Sequence, residues 1–328
     1  MENCGIFKDF NDESIKCVFK NNNGFIEMTL LQNRNDTDVV CVPTHYFCNL
    51  GCKMCHLTNN SLIKKSIPIT IDSFIKALEL TVKNQKTLKR RTNKKKLLIS
   101  FMGVGEPTLN FDLIKDVFDS TNKLKQLLDY EYIGFALASM LPNKNLKKIT
   151  NIVNEKNIPL KIHFSLHSPI DRKRNELIPK SNNTILDCLN MLKEYENTIK
   201  NNQIIMKEFN KCHKSDDVVE VHYTLIKNIN DTNEDLYNIC DLLKKYKFTI
   251  KFIKFNQKED MSISNKENQW VEFIKENCNT KVKQYAPPGK NIGASCGEFT
   301  KHYYHEEIET KEQLKEFLNW KQKYEVFD

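Results

Sequence analysis

The stretch CNLGCKMC, residues 48–55, decides how the rest of the chain is interpreted. Its three cysteines, Cys48, Cys52 and Cys55, have the spacing C-x3-C-x2-C. Three thiolates on one short loop can bind three irons of a [4Fe–4S] cluster and leave the fourth iron open. An open iron can bind S-adenosylmethionine and pass it an electron. A zinc site with His56 as fourth ligand is the alternative, although zinc sites usually combine two separate ligand pairs.

Length and composition favour a cytoplasmic enzyme with one large core. The chain has 328 residues, 40% of them hydrophobic, and a barrel of this size can form a single domain. No apolar run approaches the roughly 20 residues that span a bilayer, and the first residues lack the layout of a signal peptide. We therefore expect no membrane segment, and eleven cysteines that serve as reduced thiols, metal ligands or catalysts. The net charge of +8 is compatible with a nucleic-acid partner but does not require one.

Alternating apolar and amphipathic segments predict repeated β/α units. A hairpin comes first, formed by the runs SIKCVFK and FIEMTLLQ around the turn NNNG. Short apolar runs then predict six strands, at residues 39–42, 97–102, 132–138, 160–166, 219–226 and 249–255. Amphipathic runs predict helices at residues 72–82, 110–128, 145–155, 184–195 and 234–246. This order indicates a parallel sheet with crossover helices, in which functional groups collect at the carboxyl ends of the strands.

Two polar stretches interrupt this pattern. Residues 83–96, KNQKTLKRRTNKKK, form a dense basic run, and residues 201–217 form a polar segment before the fifth strand. Each can be a solvated loop. The basic run can instead contact RNA phosphates, because clustered Lys and Arg release counterions from the nucleic-acid backbone.

The turn FMGVGEP follows the second predicted barrel strand. Its two glycines, Gly103 and Gly105, allow a ligand to approach the backbone closely. The carboxylate of Glu106 can hold the ammonium group of a bound amino-acid moiety. Alone, this pattern is equally typical of an ordinary strand-to-helix turn. Its position one β/α unit after the cysteine loop favours the binding of S-adenosylmethionine.

Five segments together give the chain a specific resemblance to a known family. They are IEMTLL, CVPTHYFCNLGCKMC, SFMGVGEPTLN, FSLHSPIDRKRNELIP and GKNIGASCGEF. In this order they resemble the RlmN/Cfr class of radical-SAM RNA methyltransferases, which methylate an adenine carbon in ribosomal RNA and, in some members, transfer RNA. The likeness extends from about residue 14 to about residue 299. It implies a radical-SAM partial (β/α)6 TIM-like barrel with a short N-terminal β-hairpin extension.

We expect the chain to divide into three parts. Residues 1–38 would form the N-terminal β-hairpin extension, residues 39–300 the radical-SAM core domain, and residues 301–328 a C-terminal helical tail. Family members usually carry a helical N-terminal domain that takes part in RNA binding. We expect this chain to lack most of that domain, so that its RNA-docking surface differs from that of the family.

Two cysteines outside the cluster motif carry the chemistry that the resemblance implies. Cys41 lies seven residues before the first cluster ligand, and Cys296 lies in the motif GASCG. Carbon 2 or carbon 8 of adenine is electrophilic, so direct methyl transfer from a sulfonium fails there. In the family, the residue matching Cys296 is methylated as a thiolate, and its methyl group becomes a carbon radical that adds to adenine. Cys41 then resolves the protein–RNA crosslink, which implies a transient Cys41–Cys296 disulfide that is reduced between turnovers.

Other positions match residues with assigned roles in the family. Glu27 of IEMTLL matches a proton acceptor, although a solvent-facing strand residue is the alternative. The positions that match S-adenosylmethionine contacts are Gly105, Glu106, Ser139, Ser165, Leu166, His167 and Asn256. His45 and His56 flank the cluster motif and are interpreted as bystanders.

The resemblance also implies cofactors and partners. Each turnover would use one [4Fe–4S] cluster and two S-adenosylmethionine molecules, with electrons from a flavodoxin- or ferredoxin-type donor. The substrate would be ribosomal or transfer RNA, and the protein would be a monomer. Two alternatives stay open. One is a radical-SAM enzyme that acts on a small molecule or peptide, and the other is a non-catalytic metal- or RNA-binding relative.

Overall fold

A ten-stranded sheet, with its strands in chain order, organises the molecule. The computed structural model describes residues 1–31, 36–59, 66–88, 95–258, 260–294 and 311–326. The strands are β1 (Glu2–Lys8), β2 (Ile15–Asn21), β3 (Gly24–Leu31), β4 (Thr37–Cys41), β5 (Lys96–Phe101), β6 (Tyr132–Ser139), β7 (Leu160–Ser165), β8 (Val219–Tyr223), β9 (Thr249–Ile253) and β10 (Val282–Tyr285). The helices are α1 (Ile71–Thr87), α2 (Phe111–Asp119), α3 (Thr121–Leu128), α4 (Asn145–Lys156), α5 (Asp171–Leu177), α6 (Ile185–Asn201), α7 (Gln203–Cys212), α8 (Asn233–Tyr246), α9 (Glu267–Cys278) and α10 (Lys311–Tyr324).

The first four strands form an antiparallel unit. The predicted hairpin is present as β2 and β3, with Asn21 opposite Gly24 at its turn. The hairpin does not come first, however, because β1 precedes it and pairs antiparallel with β2. The sequence prediction missed β1, whose burial rises only towards its carboxyl end and which therefore shows no clear alternation.

From β4 onward every neighbouring pair of strands is parallel. The six predicted barrel strands are all present, and helices follow them as the β/α pattern requires. The predicted TIM-like partial barrel is therefore confirmed. A seventh parallel strand, β10, pairs with β9 and was missed, because its four residues, VKQY, contain no buried apolar run.

Two segments differ from the sequence prediction. The helix predicted at residues 110–128 divides at Ser120 into α2 and α3. The polar segment at residues 201–217 is largely the helix α7 and not a loop. Ile205, Phe209 and Cys212 lie on one face of α7 and are buried, and the side chain of Asn202 caps its first turn by accepting from the amide of Ile205 at 3.1 Å.

The two faces of the parallel strands have different roles. One face carries Ile99, Phe135, Ile162, Val221 and Phe252, which are buried in the main hydrophobic core together with apolar residues of the surrounding helices. The opposite face lines an internal cavity. Because successive strand residues point to opposite faces, one face builds stability and the other is free to carry polar groups.

The basic run at residues 83–96 lies partly outside the described residues. Its first residues continue α1, where Lys83 Nζ binds Glu79 Oε1 at 2.7 Å. RNA contact by this run stays a prediction. Among the helices that the structure describes, none has the length and apolar composition of a membrane-crossing segment.

Phe135 tests the structural face of the sheet. Its ring lies 5.0 Å from that of Phe118 and 6.4 Å from that of Phe101, and its side chain is fully buried. Phe135→Ala is expected to lower the free energy of unfolding by about 3–5 kcal/mol, because it leaves a cavity in the core. Phe10, which is 59% exposed, provides the control, and Phe10→Ala should change the free energy by no more than about 0.5 kcal/mol. Urea unfolding followed by circular dichroism measures both values.

Candidate active site

A cavity of about 770 Å³ occupies the interior of the partial barrel. It brings together residues that are far apart in the sequence: Cys41, Cys55, His167, Asn256 and Ala294 all line it. The first four were predicted as site residues. Cys296 lies outside the described residues, but the chain reaches the cavity at Ala294, two positions before it.

The cluster motif forms a loop that several other segments hold in place. The amide of Cys55 donates to the carbonyl of Cys52 at 3.0 Å, and the amide of Lys53 donates to the carbonyl of Leu177 at 2.9 Å. Lys258 Nζ donates to the carbonyls of Lys53 at 2.8 Å and Cys55 at 3.3 Å. Hydrogen bonds from α5 and from the segment after β9 therefore fix the conformation of the cluster loop.

The three loop thiols lie in apolar surroundings that suit an iron–sulfur cluster. Cys48 and Cys52 pack against a buried apolar cluster that includes Leu50 and Phe255. Burial raises the pKa of Cys48 and raises that of Cys55 to about 11; burial also raises the pKa of Cys52, and the adjacent Cys55 and Cys48 add to that effect. Buried neighbouring thiolates need a compensating cation, which the irons of a [4Fe–4S] cluster would supply.

The geometry of the thiols argues against the zinc alternative with His56. A single ion requires all its ligand atoms close together. Among the described residues, one group of three His and Glu side chains has its ligand atoms within 4.8 Å of one another, close enough for a single ion. That group contains none of the loop cysteines. In a [4Fe–4S] cluster each cysteine binds a different iron, so the ligands lie farther apart. The residues therefore fit the cluster better than they fit one zinc ion.

The turn FMGVGEP is packed directly against the start of the cluster loop. The amide of Thr44 donates to the carbonyl of Val104 at 2.9 Å, and the amide of Gly103 donates to the carbonyl of Val42 at 3.0 Å. A Cβ on Gly103 would lie 2.7 Å from the carbonyl carbon of Val42. At Gly105, where φ is +104°, a Cβ would lie 2.8 Å from Thr44 Oγ1. Glycine is thus required at both positions so that the two loops can meet.

Glu106 and Ser139 were predicted separately and lie in contact. Glu106 Oε1 accepts from Ser139 Oγ at 2.6 Å and from Thr108 Oγ1 at 2.8 Å, and Oε2 accepts from the amide of Met140 at 3.1 Å. Burial raises the pKa of Glu106, and these hydrogen bonds oppose that rise. A carboxylate has about four acceptor positions, so Oε2 keeps capacity for an ammonium group.

Arg174, which sequence reasoning missed, organises the ends of β6 and β7. It is fully buried, and its guanidinium donates to the carbonyls of Met140 at 2.7 Å, Ser165 at 3.2 Å and Leu166 at 3.2 Å. Ser165 and Leu166 are two of the predicted contacts to S-adenosylmethionine. Arg174 lies in the quoted segment FSLHSPIDRKRNELIP, but a single arginine on a short helix gives no sequence signal of burial.

His167 takes an unusual backbone conformation at the carboxyl end of β7. Its φ is +54°, in the left-handed region that non-glycine residues seldom adopt. Two hydrogen bonds hold it there: the amide of Thr224 donates to His167 Nδ1 at 3.2 Å, and Asn230 Nδ2 donates to the carbonyl of His167 at 2.6 Å. Burial, together with the charge of Arg174, lowers the pKa of His167 to about 4, so the ring is neutral at physiological pH.

Glu27 is not the solvent-facing strand residue that the sequence left open as an alternative. Its side chain is 8% exposed, and its Oε2 accepts from Lys16 Nζ at 2.8 Å. Lys16 Nζ also donates to the carbonyl of Gly293 at 2.9 Å. The pair therefore joins the hairpin to the segment that leads towards Cys296.

The two halves of the cavity wall differ in polarity. Leu31, Val39, Leu98, Met102 and Ala136 form an apolar half on β3 to β6. The other half, on β7 to β10, carries the polar side chains of Lys161, His163, Glu220, His222, Lys251 and Lys283. Sequence reasoning missed this polar half, although the alternation in LKIHFS and VEVHY places charged or imidazole side chains on one face of each strand.

Glu220 is the centre of the polar half of the wall. Its Oε1 accepts from Lys161 Nζ at 2.9 Å and from Lys283 Nζ at 2.7 Å, and Lys251 Nζ lies 3.9 Å from Oε2. His163, Glu220 and His222 have ligand atoms within 4.8 Å of one another, as a metal site would. Three ammonium groups around one carboxylate repel a further cation, so we interpret the set as a hydrogen-bonded wall and not as a metal centre.

Comparisons with known proteins support the resemblance. No family model matches the chain. The chain is 26% identical over 308 residues to the probable dual-specificity RNA methyltransferase RlmN of Finegoldia magna, a match that covers 91% of this chain and 78% of the relative. It is 24% identical over 297 residues to the corresponding protein of Clostridioides difficile, covering 89% and 77%. With the dual-specificity RNA methyltransferase RlmN of Buchnera aphidicola it shares 27% identity over 269 residues, covering 80% and 66%.

A solved structure shares the fold. The crystal structure of a radical SAM methyltransferase from Sphaerobacter thermophilus superposes with a TM-score of 0.65 at 19% sequence identity, covering 90% of this chain and 80% of that chain. The predicted resemblance to RlmN-type RNA methyltransferases and the predicted TIM-like partial barrel are both confirmed.

The cluster loop can be tested by iron content. Cys52→Ser is expected to reduce iron from about four atoms per chain to near zero after anaerobic reconstitution, because two thiolates do not hold the cluster. Cys188, a buried free cysteine on α6, is the matched control, and Cys188→Ser should keep the wild-type iron content and visible absorbance. Wild-type iron content in Cys52→Ser would contradict this assignment.

The buried histidines predict a loss of stability in acid. Burial lowers the pKa of His163 and His167 to about 4 and that of His222 further, whereas each titrates near 6.5 in the unfolded chain. Between these values the unfolded state binds more protons than the folded state. The free energy of unfolding should therefore fall as pH drops from about 6.5 to 4, by up to about 1.4 kcal/mol per pH unit for each histidine.

Urea unfolding at a series of pH values measures this slope. His163→Gln should make the slope shallower than in the wild type, since one titrating group is lost. An unchanged slope in this variant would show that His163 titrates alike in the folded and unfolded states.

Proposed function

We propose that this protein is a radical S-adenosylmethionine enzyme that methylates a ring carbon of adenosine, carbon 2 or carbon 8, in ribosomal or transfer RNA. The observation that carries the proposal is the convergence of Cys41, Cys55, His167, Asn256 and Ala294 on one cavity. The similarity to proteins named RNA methyltransferase RlmN along about nine tenths of the chain supports the choice of RNA as substrate.

In this proposal one group of residues binds the iron–sulfur cluster and another group binds S-adenosylmethionine. Cys48, Cys52 and Cys55 hold a [4Fe–4S] cluster. The residues that hold S-adenosylmethionine are Gly105, Glu106, Ser139, Ser165, Leu166, His167 and Asn256. When bound, the cluster supplies the electron that turns S-adenosylmethionine into a hydrogen-abstracting radical, with a flavodoxin- or ferredoxin-type protein as the electron donor. The apolar half of the wall excludes water from that reactive species.

Three side chains of the chain itself perform the methyl transfer. The thiolate of Cys296 attacks the methyl carbon of a first S-adenosylmethionine, which gives S-methylcysteine and releases S-adenosylhomocysteine as the leaving group. After hydrogen is removed from that methyl group, its carbon bonds to the adenine ring. The adduct loses one electron, which the cluster held by Cys48, Cys52 and Cys55 would take back. Glu27 accepts the proton that leaves the ring carbon. The thiolate of Cys41 then attacks Cys296 Sγ and the carbon–sulfur bond breaks. The released carbon takes up a proton and becomes the methyl group on the RNA, and a dithiol reductant reopens the Cys41–Cys296 disulfide.

The predicted methylation of Cys296 gives this mechanism a direct test. Peptide mass spectrometry on anaerobically purified, reconstituted protein should find one extra methyl group on Cys296, and none on the matching peptide of Cys296→Ala. Cys188→Ala is the control and should keep the methyl group. An unmodified Cys296 in protein that holds its cluster and binds S-adenosylmethionine would remove the methyltransferase proposal and leave a radical reaction on a different substrate.

Cys41→Ala separates the two halves of the reaction. Because Cys41 acts only after the carbon has joined adenine, this variant should keep the methyl group on Cys296 and accumulate a covalent adduct with RNA. Denaturing gel electrophoresis of the protein after incubation with RNA detects the adduct. Normal release of methylated RNA from Cys41→Ala would show that another group resolves the crosslink.

A further inference from the structure

Lys16 is an unusually buried cation beside the proposed reaction centre. It is 1% exposed, whereas the other buried lysines among the described residues, Lys161 and Lys258, are each 6% exposed. Its Nζ donates to Glu27 Oε2 at 2.8 Å and to the carbonyl of Gly293 at 2.9 Å. One ammonium group therefore joins β2, β3 and the segment that follows β10. Removing a lysine from water is costly, so its position calls for an explanation beyond packing.

The sheet register places Lys16 and Cys41 on the same face. Lys16 lies opposite Thr29 in the pairing of β2 with β3, and Thr29 lies opposite Cys41 in the pairing of β3 with β4. Residues directly opposite one another point to the same side of a sheet, and neighbouring strands are about 4.8 Å apart. Glu27 is two residues before Thr29 and so shares this face, which is the cavity side, because Cys41 lines the cavity.

We propose that Lys16 is a positioning residue that holds the Glu27 carboxylate and the Gly293 backbone, and with it the segment leading to Cys296, beside Cys41. This inference rests on the proposed function. It adds to that function a residue that sets the geometry between the proposed base Glu27, the proposed resolving thiol Cys41 and the backbone at Gly293. In this proposal Lys16 acts through Glu27 and Gly293, to which its Nζ donates.

The electrostatics of Cys41 agree with this arrangement. Burial raises the pKa of Cys41 to about 11, the charge of Lys16 lowers it, the amide of Met102 also lowers it, and the charge of Glu27 raises it. The charged groups that act on Cys41 thus come from β2 and β3, while Met102, directly after β5, contributes a backbone amide. Since only the thiolate attacks a sulfur atom, Lys16 increases the reactive fraction of Cys41.

The first experiment measures the alkylation of Cys41 by iodoacetamide across a pH series, with peptide mass spectrometry, on reconstituted protein without RNA. Lys16→Met should slow alkylation at pH 8 by about tenfold and move the midpoint to higher pH, because it removes a nearby positive charge. Glu27→Gln should have the opposite effect. Lys16→Arg, which keeps the charge, should follow the wild-type profile.

Matched controls separate this effect from a general loss of stability. Lys161→Met removes another buried lysine that is paired with a glutamate, at 2.9 Å from Glu220, and should leave the Cys41 profile unchanged. If Lys16→Met does not fold, Lys16→Met/Glu27→Gln removes both charges together and should fold. Its alkylation midpoint should then lie at higher pH than that of Glu27→Gln, and equal midpoints would overturn the proposal. Identical profiles in wild type, Lys16→Met and Glu27→Gln would overturn the proposal.

A second measurement tests the link to the segment before Cys296. Hydrogen exchange of the peptide that contains Gly293 should be faster in Lys16→Met than in the wild type and in Lys161→Met, because a tie to its backbone is lost. Unchanged exchange would remove this part of the proposal. Neither measurement needs RNA or S-adenosylmethionine. An unmethylated Cys296 would therefore overturn the proposed function while the Lys16 results stand or fall by themselves.

Discussion

The close contact between two loops at the carboxyl ends of β4 and β5 is the constraint on which the site depends. The backbone from Val42 to Thr44 bonds to Gly103 and Val104, and a Cβ on Gly103 would come within 2.7 Å of that backbone. Only glycine permits this approach. The contact fixes the origin of the cluster loop relative to Glu106, so the position of the three thiols and that of the proposed amino-acid contact are set together.

The chemistry of the site also depends on the unequal use of the two sheet faces. The outer face supplies the apolar core, with Ile99, Phe135 and Ile162 fully buried. Because the outer face forms the core, the inner face does not have to be apolar. It carries Cys41 on one side and the lysine–glutamate wall on the other. A buried carboxylate such as Glu220 persists because Lys161 and Lys283 both bind it, and an unpaired charge at that depth would destabilise the fold.

Much of the fold could be predicted because its signals are local. The six barrel strands are short apolar runs, and the turn NNNG directly joins the two strands of the hairpin. Both features were therefore predicted correctly. The strands β1 and β10 were missed because their residues are only partly buried and depend on a partner strand for their structure. The helix α7 was not predicted because its buried residues are spaced among many polar ones.

The sequence by itself determined the spacing on which the proposed chemistry rests. Cys48, Cys52 and Cys55 form a local pattern that can be recognised without knowledge of the fold, and Cys41 and GASCG lie at the places that the resemblance requires. Only the tertiary structure decided which groups meet: Ser139 with Glu106, Arg174 with the ends of two strands, and Lys16 with Glu27 and Gly293. These contacts join residues separated by as many as 277 positions, and burial, which no linear pattern records, gives them their strength.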